Sequence, residues 1–161
     1  MTQCPQPNPA ATPVAEDCKR LYLIDGAGYI FRAYHSLPPM SRPDGTPVQA
    51  VYGFVNMMLK MIDSIEAGGY AAVIFDASRK TFRNDIYADY KANRPDAPED
   101  LVPQFPLVRE ATRALNIPCI EQEGFEADDL IASYARAARA EGMEVVVVSS
   151  DKDLMQLVND S

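Results

Sequence analysis

Three carboxylates fall within four residues in a stretch that reads GFEADDL, from Gly124 to Leu130. They are Glu126, Asp128 and Asp129, and an apolar-periodic run begins directly after them. This placement predicts the first turn of a helix, where each acid complements the helix dipole by roughly 0.3–1 kcal/mol. Acids packed this closely also repel, since two unit charges about 4 Å apart cost about 4 kcal/mol at an effective dielectric near 20. The stretch is therefore either a simple helix start or part of a cation site.

Four further acids follow apolar runs that are typical of buried strands. These acids are Asp25, Asp76, Asp151 and Asp153. The strands alternate with amphipathic helices, which predicts an α/β fold with a parallel sheet and helices on both faces. Ligands of such sheets bind beyond the carboxyl ends of the strands. The helix opening at Glu126 also follows a predicted strand, so all seven carboxylates are expected at one edge of the sheet.

The apolar pattern defines the elements that must position these acids. Strands are predicted at 21–24, 71–75, 117–120 and 145–148, and helices at about 48–65, 101–115 and 126–141, with a last one beginning near 151. Asp25-Gly26 is expected to form a turn. Residues 1–19 are predicted to be a disordered leader, because the segment is rich in proline, alanine and threonine. Residues 20–161 are expected to form one domain.

Seven carboxylates, with Lys152 as the one basic residue in the same segments, predict bound cations. Oxygen-only ligands suit Mg²⁺ or Mn²⁺. Phosphodiester cleavage is the chemistry that uses paired hard cations on a carboxylate edge. At about 100° per residue, Glu126 and Asp128 lie on either side of the apolar helix face and Asp129 points away from it. Glu126 and Asp128 are therefore favoured as direct ligands.

Residues 79–94, the basic strip, carry five basic residues against two acids, a local charge of +3 in a chain of net charge −8. If residues 80–94 are helical, the basic and tyrosine side chains share an arc of about 100°. Lysine and arginine can grip phosphates, and tyrosine rings can stack on unpaired bases. The alternative is a solvated helix face. The candidate contacts to nucleic acid are Arg79, Lys80, Arg83, Tyr87, Tyr90, Lys91 and Arg94.

Composition excludes several classes of protein. The 161 residues are 47% apolar and 24% charged, as in ordinary globular domains, with no apolar run near the ~20 residues of a membrane span. No signal peptide is expected, because the N-terminus has no basic start followed by an apolar run, and the three cysteines suggest neither a disulfide framework nor a zinc motif; a cytoplasmic location is therefore expected. The single histidine, His35, excludes a two-histidine centre. Phosphate-loop and nucleophile-elbow motifs are absent.

Six motifs occur in a characteristic order along the chain. They are LIDG at 23–26, FRAYH at 31–35 with LPP at 37–39, FD at 75–76 leading to KTFR at 80–83, YKANRP at 90–95, GFEADD at 124–129, and DKDL at 151–154. Together they resemble the N-terminal 5′-nuclease domain of bacterial DNA polymerase I, a flap-endonuclease-like member of the PIN-like fold. The resemblance covers about residues 20–160.

The resemblance implies a monomer with two Mg²⁺ ions, replaceable by Mn²⁺, that hydrolyses DNA at 5′ ends, flaps and single-strand/duplex junctions in replication and repair. It implies a helical arch over the basic strip. It assigns one metal to Asp25, Asp76, Glu126 and Asp128, and the second to Asp151 and Asp153 with Asp129 nearby. It assigns phosphate contacts to Arg32, Lys80 and Arg83, the last two within the catalytic set.

The family pattern continues with a further carboxylate pair and a helix–hairpin–helix-type element. This chain ends before both, so it is expected to be the N-terminal part of such a domain, and activity of this part alone is left open. The alternatives are a PIN-type ribonuclease, a receiver-type Mg²⁺-binding module, and a nucleic-acid-binding module without catalysis. The basic strip argues against the receiver, which needs no surface for gripping a strand.

Overall fold

A computed structural model describes residues 19–65, 68–78, 81–87, 90 and 95–158 of the chain. The strands are β1 (Arg20–Asp25), β2 (Tyr70–Ile74), β3 (Cys119–Ile120) and β4 (Glu144–Val148). The helices are α1 (Gly26–Ser36), α2 (Gln49–Ser64), α3 (Phe82–Ile86), α4 (Gln104–Ala114), α5 (Ala127–Ala140) and a 3₁₀ helix at Lys152–Leu157. Apart from Lys19, the predicted leader lies outside the described residues.

The four strands form one parallel sheet in the order β3–β2–β1–β4, as the alternation of strands and helices predicted. Side chains alternate between two buried layers. On one face, Ile24 and Val73 pack among residues of α1, α2 and α4. On the other, Leu23 and Ala72 pack against α5 and the 3₁₀ helix. Burial of both faces explains the continuous apolar runs of these strands. None of the helices in these described ranges is long and apolar enough to cross a membrane.

Helix α1 begins directly after β1, where the sequence analysis predicted only a turn. The Asp25 carboxylate caps this helix: its Oδ1 accepts hydrogen bonds from the backbone N–H groups of Ala27 at 3.1 Å and Gly28 at 3.3 Å. An aspartate in this position satisfies N–H groups that the first helical turn leaves unpaired. The helix then buries Ile30 and Ala33 against the sheet. The turn prediction was wrong because an Asp-Gly pair can also begin a helix, with the aspartate as the N-cap and the glycine as the first helical residue.

The basic strip is not one continuous helix. Within the described part of the strip, helix α3 spans Phe82–Ile86, and Tyr87 has the extended angles φ −139° and ψ 104°. The Asn84 side chain donates to the Tyr90 backbone oxygen at 3.2 Å, which brings the chain back toward its start. Tyr87 therefore interrupts the single helix that the arc assumed, and Lys80, Lys91 and Arg94 of the same arc lie outside the described residues. The predicted arch falls partly on residues outside the described ranges.

Gly26 allows the start of α1 to lie against the end of β2. A Cβ atom at Gly26 would lie 2.3 Å from Cε1 of the fully buried Phe75. We expect Gly26→Ala to lower the free energy of unfolding by about 1–3 kcal/mol, because the packed ring cannot move aside without strain. Urea denaturation measures the change. In a Phe75→Leu background the same substitution should cost clearly less, and an unchanged cost would show that the ring is not the obstacle.

Candidate functional site

Acids from separate segments meet at the carboxyl edge of the sheet. β1 and β2 are neighbours, with Asp25 in register with Ile74. The Ser149 hydroxyl, just after β4, donates to Asp25 Oδ2 at 2.8 Å. The Ala127 N–H, at the start of α5, donates to Asp76 Oδ1 at 2.7 Å. These contacts bring the ends of β1, β2 and β4 together with the start of α5, as the strand pattern predicted.

A cavity of about 460 Å³ opens at this edge. Its charged lining residues are Arg83, Glu126, Asp128, Asp129, Lys152 and Asp153. Four of the seven predicted acids therefore share one cavity. The other three, Asp25, Asp76 and Asp151, are not among its lining residues.

Glu126 and Asp129 both cap the start of α5 and line the acidic cavity. Glu126 is the N-cap of α5, and its own N–H donates to Asp129 Oδ2 at 3.0 Å in a reciprocal capping box. Such a box satisfies unpaired donors of the first turn. Glu126 is buried, at 8% exposure, although it also lines the cavity. The predicted helix start is therefore confirmed, and the same acidic stretch also lines the cavity.

Arg83 is the counter-ion that the acidic stretch lacks in its own segment. Its guanidinium forms two hydrogen bonds to the Asp129 carboxylate, at 2.6 and 2.7 Å, and lies 3.7 Å from Glu126 Oε2. The hydrogen bonds that Arg83 donates to Asp129, helped by the negative charges nearby and opposed by burial, hold the pKa of Arg83 above its usual value. Asp129, which the helical spacing places away from the apolar face of α5, lines the cavity and is paired with this arginine.

Ser149 is a site residue that the sequence analysis missed. Its hydroxyl donates to Asp25 and also accepts from the Asp151 N–H at 3.0 Å, so it links two of the predicted metal-binding segments. A usable signal was present: Ser149 directly follows the apolar run of β4, as acids follow the other strands.

The candidate ligands can be compared with what a divalent cation requires. Every side chain proposed as a ligand is a carboxylate, the donor type that hard cations prefer. In the described part of the chain, no three acidic, histidine or cysteine side chains converge closely enough to hold one ion. Protein donors take up several of the carboxylates: Asp25 accepts from the start of α1 and from Ser149, and Asp151 accepts from the Asp153 N–H at 2.9 Å. The residues fit a hard cation in donor type.

The proposed nucleic-acid contacts are only partly visible. Arg79, Lys80, Lys91 and Arg94 lie outside the described residues. Tyr87 is 62% exposed, whereas the Tyr90 hydroxyl donates to Glu126 Oε2 at 3.4 Å. Arg32 is exposed on α1 and lines a second groove of about 300 Å³ between α1 and α2, which shares no lining residue with the acidic cavity. The structure thus brings Arg83 and Tyr90 to the acids and leaves Arg32 on a separate surface.

The sequence model described as the 5′-3′ exonuclease, N-terminal resolvase-like domain matches residues 20–161. The chain belongs to this family. It is 60% identical over 146 residues to DNA polymerase I of Rhizobium leguminosarum, covering 86% of this chain and 14% of that protein. It is 43% identical over 143 residues to the 5′-3′ exonuclease of Aquifex aeolicus, covering 89% of this chain and 49% of that protein. This 5′-3′ exonuclease domain therefore spans half or less of the length of these relatives.

Solved structures share the fold of this 5′-3′ exonuclease domain. The bacteriophage T5 D15 protein co-crystallised with metal ions superposes with a TM-score of 0.70 at 20% identity, over 88% of this chain and 53% of that one. The T5 D15 flap endonuclease in a complex with DNA and metal ions gives a TM-score of 0.66 at 22% identity, over the same shares. The predicted family and the parallel α/β fold are both confirmed.

Proposed function

We propose that this chain carries the catalytic core of a divalent-metal-dependent 5′-3′ exonuclease and flap endonuclease that acts on DNA in replication and repair. The observation that carries the proposal is the meeting of acids from separate segments at one edge of the sheet, beside a cavity that four of them line together with Arg83. The names of the relatives, DNA polymerase I and 5′-3′ exonuclease, support the same activity. We further propose that the domain is the nuclease portion of a DNA polymerase I and works as a cytoplasmic monomer.

Two Mg²⁺ ions are proposed as cofactors, with Mn²⁺ as a substitute. Asp25, Asp76, Glu126 and Asp128 would hold the first ion, and Asp151, Asp153 and Asp129 the second. Such ions supply charge stabilisation and an activated water for in-line displacement at phosphorus. The metal ions named for the T5 structures support a divalent cation in this fold.

Arg83 is proposed to bind the phosphate next to the scissile bond. Its fork of donors suits two phosphate oxygens, as it now suits the two oxygens of Asp129. A phosphate must therefore compete with Asp129 for the same donors. Lys80 is proposed to act beside Arg83. Tyr87, with most of its surface exposed, is available to stack on an unpaired base of the 5′ strand.

Tyr90 and the remaining basic residues are proposed to hold the strand. Arg79, Lys91 and Arg94 would contact its phosphates, and Tyr90 would stack on a base beside the cavity that it lines. Arg32 would contact phosphates from the separate groove on α1. Phosphate contacts of this kind position the strand and carry no base code.

A gel assay tests the activity directly. A 5′-labelled flap duplex should be cut in Mg²⁺ and remain intact when a chelator is added. The same flap made of RNA should be cut poorly, and preferential cleavage of RNA would favour a PIN-type ribonuclease. Absence of cleavage of either substrate in Mg²⁺ and Mn²⁺ would contradict the proposal for this chain.

Metal binding is tested separately from cleavage. We expect millimolar Mn²⁺ to raise the melting temperature, because a ligand that binds the native state stabilises it by about 2.7 kcal/mol at 100 times its dissociation constant. Differential scanning fluorimetry across a Mn²⁺ series measures the shift, with equal concentrations of a monovalent salt as the control. A melting temperature that stays constant throughout the Mn²⁺ series would contradict the proposed metal site.

A further inference from the structure

Arg109 on α4 makes three polar contacts that the proposed chemistry does not use. Its Nε donates to Glu121 Oε2 at 2.7 Å, its Nη2 to the backbone oxygen of Asp76 at 2.8 Å, and its Nη1 to the backbone oxygen of Phe105 at 3.2 Å. The side chain is only 19% exposed. Its guanidinium carbon lies 4.9 Å from the centre of the Phe75 ring. A charged group this enclosed, with every nitrogen of its fork engaged, is held in one orientation.

These contacts join three elements at the site edge. Arg109 belongs to α4, Asp76 lies two residues after β2, and Glu121 directly follows β3. The strand β3 is only two residues long and pairs with β2 at the last two register positions. β2 also pairs with β1 as far as Ile74, and the Phe75 N–H donates to the Ile120 backbone oxygen at 2.8 Å, so Asp76 lies just beyond these backbone contacts.

Asp76 is held from both sides by neighbouring elements. Its carbonyl oxygen accepts from Arg109 on α4, and its carboxylate Oδ1 accepts from the Ala127 N–H on α5. The contact to the backbone oxygen fixes the direction of the Cα–Cβ bond of Asp76. The contact to the carboxylate fixes the rotation of the side chain about its own bonds. A ligand to a metal works only if both are defined within about half an ångström.

We propose that Arg109 is a positioning residue that directs the Asp76 carboxylate toward the metal. The inference rests on the proposed function, since it assumes that Asp76 is a ligand. Groups that orient a metal ligand commonly change metal affinity by about 10- to 100-fold when they are removed. Arginine suits this position because its three nitrogens reach three separate acceptors, which the single ammonium of lysine cannot do in the same directions.

The test compares Arg109→Met and Arg109→Lys with Arg113→Met. Methionine keeps an unbranched stem beside Phe75 and removes the donors. Arg113 is the matched control, because it lies on the same helix as Arg109. Its Nη2 lies 3.7 Å from Oε1 of the same Glu121, so it forms an ion pair with Glu121 rather than with Asp76. The Mn²⁺ dissociation constant is measured on each variant by thermal shift, together with the unfolding free energy without metal.

We expect Arg109→Met to weaken Mn²⁺ binding by about 10- to 100-fold and Arg109→Lys to weaken it by about tenfold, with Arg113→Met within twofold of the parent. Saturating Mn²⁺ should restore most of the flap cleavage by the Arg109 variants, because the defect lies in metal affinity. A purely structural loss would lower stability without this metal dependence. Should Arg109→Met fail to fold, Arg109→Lys and Glu121→Gln, which loosens the same arginine, provide the measurement.

Equal Mn²⁺ affinities for the Arg109 and Arg113 variants would overturn the positioning role and leave the nuclease proposal standing. The parent protein could also bind Mn²⁺ without cutting the flap. Weaker Mn²⁺ binding by the Arg109 variants would then support the positioning role, whereas the nuclease proposal would fail. A parent that binds no Mn²⁺ would overturn both.

Discussion

Replacing Asp76 by asparagine should reduce flap cleavage by about a thousandfold or more while the fold stays intact. The amide oxygen can still accept the hydrogen bond from the Ala127 N–H, which Asp76 Oδ1 now accepts at 2.7 Å. Only the negative charge and the strong metal-ligand character are lost. A bound cation contributes several kcal/mol of transition-state stabilisation, and about 4 kcal/mol corresponds to about a thousandfold in rate.

Single-turnover cleavage of a labelled 5′-flap duplex in Mg²⁺ measures this effect. Glu110→Gln is the matched control, because Glu110 is an exposed acid on α4. The Glu110→Gln variant should cut the flap at the parent rate. Urea unfolding without metal should show equal or greater stability for Asp76→Asn, since removing one of several neighbouring carboxylates relieves repulsion. Cleavage within tenfold of the parent would show that Asp76 does not hold the metal.

Arg83→Gln should change cleavage and metal affinity in opposite directions. Cleavage should fall by about 10²- to 10³-fold, the loss seen when a donor aimed at developing charge is removed. Mn²⁺ affinity should rise, because Arg83 now occupies the Asp129 carboxylate at 2.6 Å and lies 3.7 Å from Glu126. The side chain is 30% exposed, so solvent screening limits the gain to about tenfold.

Two measurements separate these effects. A Mn²⁺ titration by thermal shift gives the metal affinity, and fluorescence anisotropy on a 5′-flap oligonucleotide in Ca²⁺ gives DNA binding without cleavage. The slope of log affinity against log salt should become shallower by about 0.7 for one lost contact to a single-strand phosphate. Arg136→Gln, an exposed arginine on α5, is the control. A fall in Mn²⁺ affinity for Arg83→Gln would mean that Arg83 supports the metal ligands instead of competing with a cation.

The sequence alone determined the sheet, the edge that carries the site and the family. The central strands β1 and β2 are covered on both faces and the edge strand β4 is half-buried, so the apolar runs at 21–24, 71–75 and 145–148 were visible without knowledge of their neighbours. Parallel strands present their carboxyl ends at one edge. The acids that follow them, such as Asp25 and Asp76, could therefore be assigned to one place from spacing alone. The order of the motifs predicted the family that the comparison confirmed.

The partners of these acids were decided only by the tertiary structure. The segment around the acidic helix start contains no basic residue that could pair with its acids. The partner is Arg83, which lies more than 40 positions earlier in the chain and pairs with Asp129. Asp25-Gly26 fits both a turn and a capped helix, and only packing of the following residues against the sheet selects the helix. Tyr87 leaves the helical path as the chain folds back, with Asn84 bonded to the Tyr90 backbone. Contacts between distant residues depend on how helices pack on the sheet, and local periodicity carries no information about that packing.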